Sequence, residues 1–262
     1  MRGRWRIGRA VGTRTHAVGP SWHSGGMTRP RMMLLGAAVL ATVAIVVAWL
    51  VIDRTDDDPI SGPAAQLAEE VPLADGSTTE PDEDWVTKTA ADRQIPVRAM
   101  QAYARTEISQ REEQPECRLR WNTLAGVGSV ESAHGTLGGA GLDAAGVSSK
   151  RIIGPPLNGK DGTRAIKATR ESTALHGDET WDRAVGPFQF LTTSWDQYGA
   201  DADGDGEANP HDIDDAALGA ANHLCAHERD LSGDGWVKAV FAYNNSMAYV
   251  DKVRSIADSY AK

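Results

Sequence analysis

The spacing of apolar residues predicts a mainly α-helical protein. In five stretches, apolar residues recur three and four positions apart, which is typical of helices with one buried face. Residues 136–180 are rich in Gly and Pro and lack this spacing, so we expect loops there, with room for one short β-hairpin. A long irregular insertion of this kind is more often a binding loop than filler. The predicted helices cover residues 96–111, 121–135, 188–198, 214–229 and 236–260.

Residues 32–52 form an apolar segment of 21 residues without a charge. A helix of this length spans the hydrocarbon core of a bilayer. Seven Arg precede the segment and four Asp follow it closely, and this bias keeps the N-terminus in the cytoplasm. A cleaved signal peptide is the alternative, but the segment is longer than a usual signal-peptide core and no small-residue cleavage site follows it. We therefore expect an uncleaved, single-pass anchor in the cell membrane, with all later residues on the extracytoplasmic side.

Charge divides the chain further. Residues 1–31 carry +7, residues 53–84 carry −10 and residues 85–262 carry −6, which gives the net charge of −9. The first segment is predicted to be a disordered, basic cytoplasmic tail. The second is acidic and contains four Pro, a composition that cannot bury a core and indicates an extended linker. Residues 85–262 are then the globular domain, and because this domain is acidic and lacks a basic stripe, nucleic acid is excluded as its main partner.

The two cysteines, Cys117 and Cys225, both fall on the predicted extracytoplasmic side. In an oxidising compartment a lone pair of this kind most often forms a disulfide. Closing so long a loop would contribute about 4–5 kcal/mol by the loop-entropy argument, and often less in practice. A Cys/His metal site is the weaker interpretation, because neither cysteine belongs to a C-x-x-C pair.

The apolar face of the helix predicted at 121–135 includes an acidic residue. Trp121 and Leu124 begin an apolar stripe, and Glu131 with Ser132 falls next on it. A carboxyl group buried among apolar side chains stays protonated near neutral pH, as a proton donor must. A structural acid without a catalytic role is the other interpretation of this position.

Three short motifs occur together in the domain. The first is Glu131-Ser132, the second is Gly-Pro-Phe-Gln at 186–189 with Thr180 and Trp181 before it, and the third is Ala-Tyr-Asn at 242–244. In this order they resemble the motifs of the lysozyme-like lytic transglycosylases, especially the B-type membrane-bound lytic murein transglycosylases. The resemblance extends from about residue 95 to residue 253. It implies a mainly α, lysozyme-like domain of the goose-type or lytic transglycosylase kind.

The resemblance assigns Glu131 as the single catalytic acid. Its proton would go to the glycosidic oxygen, and the carboxylate would then take a proton from the C6 hydroxyl of the sugar, which attacks C1 to form a 1,6-anhydro ring. No second carboxylate is needed, and Asp178, Glu179 and Asp182 are interpreted as loop charges or ion-pair partners. The implied substrate-binding residues are Ser132, Thr180, Trp181, Phe188, Gln189, Tyr243 and Asn244.

Within this set the resemblance implies separate roles. Gln189 would hydrogen-bond the muramoyl sugar beside an apolar platform, Phe188; the other interpretation of Gln189 is a buried amide that caps a backbone turn. The Tyr243 hydroxyl would approach the catalytic carboxyl. Thr180 stands where the B-type relatives have Ser and would bind the N-acetyl group, and Trp181 either stacks on a sugar or fills the core.

An acidic stretch at 201–215 begins as D-x-D-x-D-G, the opening of an EF-hand loop. Its oxygen ligands favour Ca²⁺ over Zn²⁺, and so many acids would repel one another without a cation. Position 12 of the loop is Asp212 instead of Glu, so Asp215 is a second candidate for the closing ligand, as in the B-type relatives. We expect a structural Ca²⁺ and no organic cofactor. The candidate ligands are Asp201, Asp203, Asp205, Glu207, Asp212 and Asp215.

His223 and His227 are four residues apart without an H-E-x-x-H pattern, so they are predicted to be surface residues of a helix. The sequence thus predicts a membrane-anchored murein lytic transglycosylase acting on peptidoglycan glycan strands. A hydrolytic muramidase and a non-catalytic peptidoglycan-binding scaffold are the alternatives.

Overall fold

Eight α-helices joined by long loops form the part of the chain that the computed structural model describes, residues 60–160 and 163–262. The mainly α class is therefore confirmed. The predicted basic tail and the predicted membrane anchor, residues 1–31 and 32–52, lie outside the described residues. Within those residues, every helix is too short or too polar to cross a bilayer. The helices are α1 (Glu83–Arg93), α2 (Val97–Glu113), α3 (Trp121–Ser132), α4 (Arg170–His176), α5 (Thr192–Tyr198), α6 (Ile213–Cys225), α7 (Asp234–Tyr243) and α8 (Met247–Tyr260).

The central helix is α3, which is buried at every position except Ser129. It packs against α2, α6 and α8. Two glycines allow these close contacts. A Cβ atom at Gly126 would lie 3.1 Å from the carbonyl oxygen of Val253 in α8, and one at Gly128 would overlap the hydroxyl of Tyr103 in α2. Because neither residue has a side chain, the neighbouring helix and the phenol can reach the backbone of α3.

Two links fix α6 in place. Cys117 and Cys225 form a disulfide with their Cα atoms 5.5 Å apart, so the predicted pairing is confirmed. At the other end of α6, the guanidinium of Arg98 in α2 forms an ion pair with Asp214. The helix is therefore tied at both ends to the α2 side of the domain.

The segment before α1 differs from the predicted linker. Ala65, Ala68 and Val71 are buried and belong to the hydrophobic core of the domain. The backbone N–H of Val71 donates a 2.9 Å hydrogen bond to Oε1 of Glu107. The prediction of an extended linker over residues 53–84 is thus wrong for this part, because a few small apolar residues suffice when the domain supplies the rest of the core.

Several helix boundaries also differ from prediction. The helix expected over 236–260 is two helices, because the chain is extended at Asn244 and at Ser246 between α7 and α8. The hydroxyl of Ser246 accepts a hydrogen bond from the backbone N–H of Tyr249 and so caps α8. The helix expected from residue 188 begins only at Thr192, since the preceding segment is a tight turn.

The region 136–180 is largely irregular, as predicted, but holds α4 and short antiparallel pairings. Asn158 pairs with Ala165, and Lys167 pairs with Trp181. These pairings, with the backbone hydrogen bonds beside them, form a small ladder of residues 157–158, 165–168 and 180–182.

Candidate active site

Glu131 lies in the last turn of α3 and is 5% exposed. The helix ends directly after it, because Ala133, His134 and Gly135 all have positive φ angles. Burial raises the pKa of the Glu131 carboxyl to about 7. The expected burial of this acid is confirmed, and a carboxyl group with this pKa is partly protonated at neutral pH and can donate a proton there.

The hydrogen-bond partner of this carboxyl is a tyrosine that the sequence analysis missed. The Tyr249 hydroxyl donates a 2.6 Å hydrogen bond to Oε1 of Glu131. The Tyr243 hydroxyl, which was predicted to approach the carboxyl, lies in the same cleft and donates its hydrogen bond to the carbonyl oxygen of Phe188 at 2.8 Å; burial and the charge of Glu131 raise the pKa of Tyr243. The available signal was a second Ala-Tyr pair, Ala248-Tyr249, six residues after the first.

Glu131 faces a cleft that brings the three motifs together. Gln189, Tyr243 and Asn244 line this cleft with Glu131, so one residue or more from each motif is present. The remaining lining is mostly apolar, as in carbohydrate and small-molecule sites generally. It consists of Pro155, Leu157, Ala184, Phe190, Leu191, Ser194 and His223.

Gln189 is held by the turn that precedes α5. Its own φ angle is +49°, and its Nε2 atom donates a 3.0 Å hydrogen bond to the carbonyl oxygen of Gly186. Gly186 has a φ angle of +77°, and a Cβ atom there would overlap the carbonyl of Pro210. Only glycine fits this turn. The Gly of the Gly-x-x-Gln motif is therefore required by the backbone conformation, and the Gln is the residue that lines the cleft.

Asn244 and His223 give the cleft polar groups. Asn244 is buried, and its Oδ1 atom has no hydrogen-bond partner among the described residues. The ring of His223 stacks on the ring of Tyr198, with their centroids 4.4 Å apart, and its centroid lies 5.0 Å from that of the Tyr243 ring. The prediction that His223 is a surface residue is therefore wrong: its face of α6 turns toward the cleft. His227 is exposed but lies beyond the end of α6.

Two predicted substrate-binding residues lie inside the domain instead of in the cleft. The Ser132 hydroxyl donates to the carbonyl oxygen of Pro187 at 2.5 Å and accepts from the N–H of Gly135 at 2.8 Å. Phe188 is fully buried and packs edge-on against Tyr103. Ser132 thus joins the first motif to the second, and the aromatic residue of that turn that reaches the cleft is Phe190.

Thr180 and Trp181 lie on the short ladder and do not line the cleft. Thr180 is exposed, and the Trp181 ring is covered by the Lys167 ammonium, 3.6 Å from its centroid. The structure therefore gives Trp181 a cation–π partner.

The three acids interpreted as loop charges also lie away from the cleft. Asp182 hydrogen-bonds His176 at 3.1 Å, and Asp178 pairs with Arg183 at 2.9 Å. Hydrogen bonds from backbone N–H groups and from Arg183 lower the pKa of Asp178 to about 2. Glu179 is exposed on the surface. None of the three joins Glu131 in the cleft.

The acidic loop brings three of its six candidate ligands together. Carboxylate oxygens of Asp201, Asp203 and Asp215 lie within 4.8 Å of one another. Burial and the charges of the other two raise the pKa of Asp215, so a cation among them would relieve their repulsion. Carboxylate oxygens at this spacing fit a hard cation. Asp205 and Glu207 lie outside this group.

Asp212, the twelfth loop position, has a different role. Its Oδ1 atom accepts a 2.8 Å hydrogen bond from the N–H of Asp214 and caps α6. Its prediction as a ligand is not supported, because the helix cap turns its side chain to the backbone. Asp215 occupies the closing position of the cluster instead.

Comparison with known proteins gives a family match for part of the chain and a similar solved structure. Residues 166–237 match the family model described as "Transglycosylase SLT domain", so the predicted resemblance is confirmed over this stretch, which includes Gln189 and the acidic loop. A similar solved structure is that of SltB3 from Pseudomonas aeruginosa in complex with NAG-anhNAM-pentapeptide. It is 17% identical, and the alignment covers 76% of this chain and 68% of that chain with a TM-score of 0.37. No curated protein matches the chain.

Proposed function

We propose that this protein is a peptidoglycan lytic transglycosylase with a lysozyme-like domain. It cleaves the β-1,4 bond between N-acetylmuramic acid and N-acetylglucosamine and leaves 1,6-anhydromuramoyl ends. The observation that carries the proposal is the buried Glu131, whose pKa is raised by burial to about 7, at the wall of a cleft that also holds Gln189, Tyr243 and Asn244.

Glu131 acts first as an acid. Its proton passes to the glycosidic oxygen as the bond to C1 of the muramoyl sugar breaks, and the leaving sugar departs with a free hydroxyl. The carboxylate that remains accepts the hydrogen bond from Tyr249. This bond favours the ionised form, so it stabilises the charge that develops on Glu131 as the proton leaves.

The same carboxylate then acts as a base. It takes the proton of the muramoyl C6 hydroxyl, whose oxygen attacks C1 and closes the anhydro ring, and Glu131 is protonated again. Of the described residues that line the cleft, Glu131 is the one carboxylic acid. A retaining hydrolase places a second carboxylate about 5–5.5 Å from the acid, so the lining favours attack by the substrate's own hydroxyl.

Gln189 and Asn244 hold the sugar in this reaction. The free Oδ1 atom of Asn244 accepts a hydrogen bond from a sugar hydroxyl or N-acetyl N–H, which removes the cost of an unpaired buried oxygen. Gln189 is fixed through its Nε2 atom, so its Oε1 atom keeps one orientation toward the muramoyl sugar.

Two further elements complete the proposal. Ca²⁺ held by Asp201, Asp203 and Asp215 would fix the start of α6, which contributes His223 to the cleft. Residues 32–52 would anchor the protein in the cell membrane with the domain on the extracytoplasmic side, as their length and flanking charges favour.

Digestion of purified murein tests the function. We expect wild-type protein to release muropeptides with anhydro ends, which weigh one water less than reducing ends in mass spectrometry. Glu131→Gln, which preserves shape but cannot donate a proton, should release none. Reducing ends alone would identify a hydrolytic muramidase, and equal binding without cleavage by both proteins would identify a non-catalytic scaffold.

A further inference from the structure

One segment of the domain has a charge opposite to that of its surroundings. Residues 150–170 contain six Lys and Arg and one acid, a net charge of +5. Since residues 85–262 carry −6, the rest of the domain carries −11. The six bases follow no regular spacing, so they form no basic stripe in the sequence, and the fold is needed to show where they lie. They are Lys150, Arg151, Lys160, Arg164, Lys167 and Arg170.

Three of these bases lie on a hairpin that forms part of the cleft wall. The N–H of Ile166 donates a 2.9 Å hydrogen bond to the carbonyl oxygen of Leu157, and Leu157 lines the cleft with Glu131. We call residues 157–160 and 163–167 the basic hairpin; its bases are Lys160, Arg164 and Lys167.

These bases are close to the cleft. Lys160 follows Leu157 by three residues, so their Cα atoms are at most about 11 Å apart. Arg164 and Lys167 lie two residues and one residue from Ile166, the residue paired with Leu157. All three side chains are exposed.

The bases of this segment also lack carboxylate partners, which most of the other described bases have. Elsewhere in the described residues, eight Lys and Arg side chains form ion pairs with carboxylates. None of the six bases of residues 150–170 forms one with a described acid, although the domain is rich in acids. The charges of Lys160 and Arg164 therefore remain available to a ligand, and the Lys167 ammonium, which lies 3.6 Å from the Trp181 ring centroid, still has no carboxylate to neutralise its charge.

We propose that the basic hairpin binds the carboxylates of peptide stems attached to the glycan strand in the cleft, a proposal that rests on the proposed function. The lactyl carboxyl of each muramoyl sugar becomes a neutral amide when a peptide is attached. The carboxylates that such a strand brings to the cleft are therefore those of its peptide stems. The basic hairpin presents separate ammonium and guanidinium groups, and each of them can pair with one carboxylate of a peptide stem. They do not form the cluster of backbone N–H groups that typically surrounds a phosphate.

The test uses the full-length protein with Lys160→Gln, Arg164→Gln and Lys167→Gln combined. The matched control combines Lys88→Gln, Lys238→Gln and Lys262→Gln, which changes the net charge equally at exposed positions outside the cleft lining. Both variants are also made with Glu131→Gln, so that binding to murein sacculi can be measured by co-sedimentation without cleavage. Circular dichroism checks that both variants fold.

We expect the hairpin variant to bind native murein about 3- to 10-fold more weakly at low salt, with a matching rise in KM and an unchanged kcat. The control should match the wild type. The difference should disappear at high salt and on murein whose carboxylates have been amidated with carbodiimide and ammonia.

Two results would overturn or redirect the binding proposal, and a third would overturn the proposed function alone. Equal binding by the hairpin variant and the control would overturn it. A difference that survives amidation but disappears when acid-labile phosphodiester polymers are removed would replace carboxylates by phosphates as the ligand. If the wild type cleaves nothing, the proposed function fails, while the sedimentation assay still decides the binding proposal.

Discussion

The Tyr249 hydroxyl donates a 2.6 Å hydrogen bond to Oε1 of Glu131, which joins the last turn of α3 to the first turn of α8. The bond favours the ionised carboxylate and so opposes the effect of burial on the pKa of Glu131. The acid is therefore partly protonated at neutral pH, and a hydrogen-bond donor is in place for its conjugate base.

Tyr249→Phe should change the pH dependence of cleavage. Without the phenol, the pKa of Glu131 rises further above about 7, so the alkaline limb of the kcat profile moves to higher pH, by about one unit at most. We also expect kcat to fall about tenfold, because the developing carboxylate loses its donor. Murein digestion between pH 5 and pH 9 measures both.

Tyr260→Phe is the matched control for that experiment. Its hydroxyl is on the same helix but hydrogen-bonds His134 at 3.1 Å instead of Glu131. The alkaline limb of this variant should stay at the wild-type pH. If Tyr249→Phe leaves the limb unmoved as well, the hydrogen bond has no effect on the catalytic acid.

Gly128→Ala should destabilise the domain through Tyr103. The added methyl group would overlap the Tyr103 hydroxyl, and overpacking of this kind costs about 1–3 kcal/mol in free energy of unfolding. Tyr103→Phe should recover part of that loss, since it removes the overlapping oxygen. Denaturant unfolding of the two single variants and the double variant gives the coupling energy.

Gly126→Ala provides the contrasting case. Its methyl group would press on the backbone carbonyl of Val253, 3.1 Å away. Tyr103→Phe should therefore give no recovery in this background. If Tyr103→Phe recovers equal free energy of unfolding in both glycine variants, its effect comes from a general loosening of the core and not from removal of the contact with residue 128.

Glu107 should make stability depend on pH. Burial raises the pKa of its carboxyl to about 7, although the N–H groups of Val71 and Trp121 donate to it. Because the folded pKa exceeds the unfolded value of about 4.5, the contribution of Glu107 is fully present below pH 4.5 and is lost as pH rises toward 7. Glu107→Gln should remove this part of the decline.

The measurement is the Tm of each protein between pH 4.5 and pH 8, taken as the difference from wild type. Burial raises the pKa of Glu131 to about 7 as well, so Glu131→Gln should remove a second, separate part of the decline. The double variant should then show the flattest profile. A Glu107→Gln profile parallel to that of the wild type would contradict the assignment.

The position of Glu131 could be predicted because helix α3 continues unbroken from Trp121, so its apolar stripe extends to the acid. Tyr249 could not, because Asn244 and Ser246 interrupt the predicted helix at 236–260. A break of two or three residues changes which side chains face inward, and apolar spacing alone does not show where it falls.

Other differences have the same physical origin. Of residues 65–71 only Ala65, Ala68 and Val71 are buried, while Leu67 is exposed. The composition of this segment is typical of a linker, and its burial depends on contacts with Glu107 and the neighbouring helices. Ser132 and Phe188 carry motif positions, but both are buried: the tight turn at Gly186 directs Phe188 into the interior, and Ser132, at the end of α3, donates to the carbonyl oxygen of Pro187 in that turn. Motif matching identifies the segment, and the direction of each side chain depends on the backbone.

Calcium should raise the thermal stability of this protein through Asp201, Asp203 and Asp215. A cation at 100 times its Kd adds about 2.7 kcal/mol to the free energy of unfolding, about 5–10 °C in Tm for a domain of this size. Asp215→Asn removes a carboxylate from the cluster and should abolish most of the response.

Asp212→Asn should keep the response to calcium, because Asn caps a helix as well as Asp does and Asp212 serves α6 as its cap. Melting curves in EDTA and in excess CaCl₂ compare the variants. Loss of the response in Asp212→Asn alone would mean that the twelfth loop position closes the site after all.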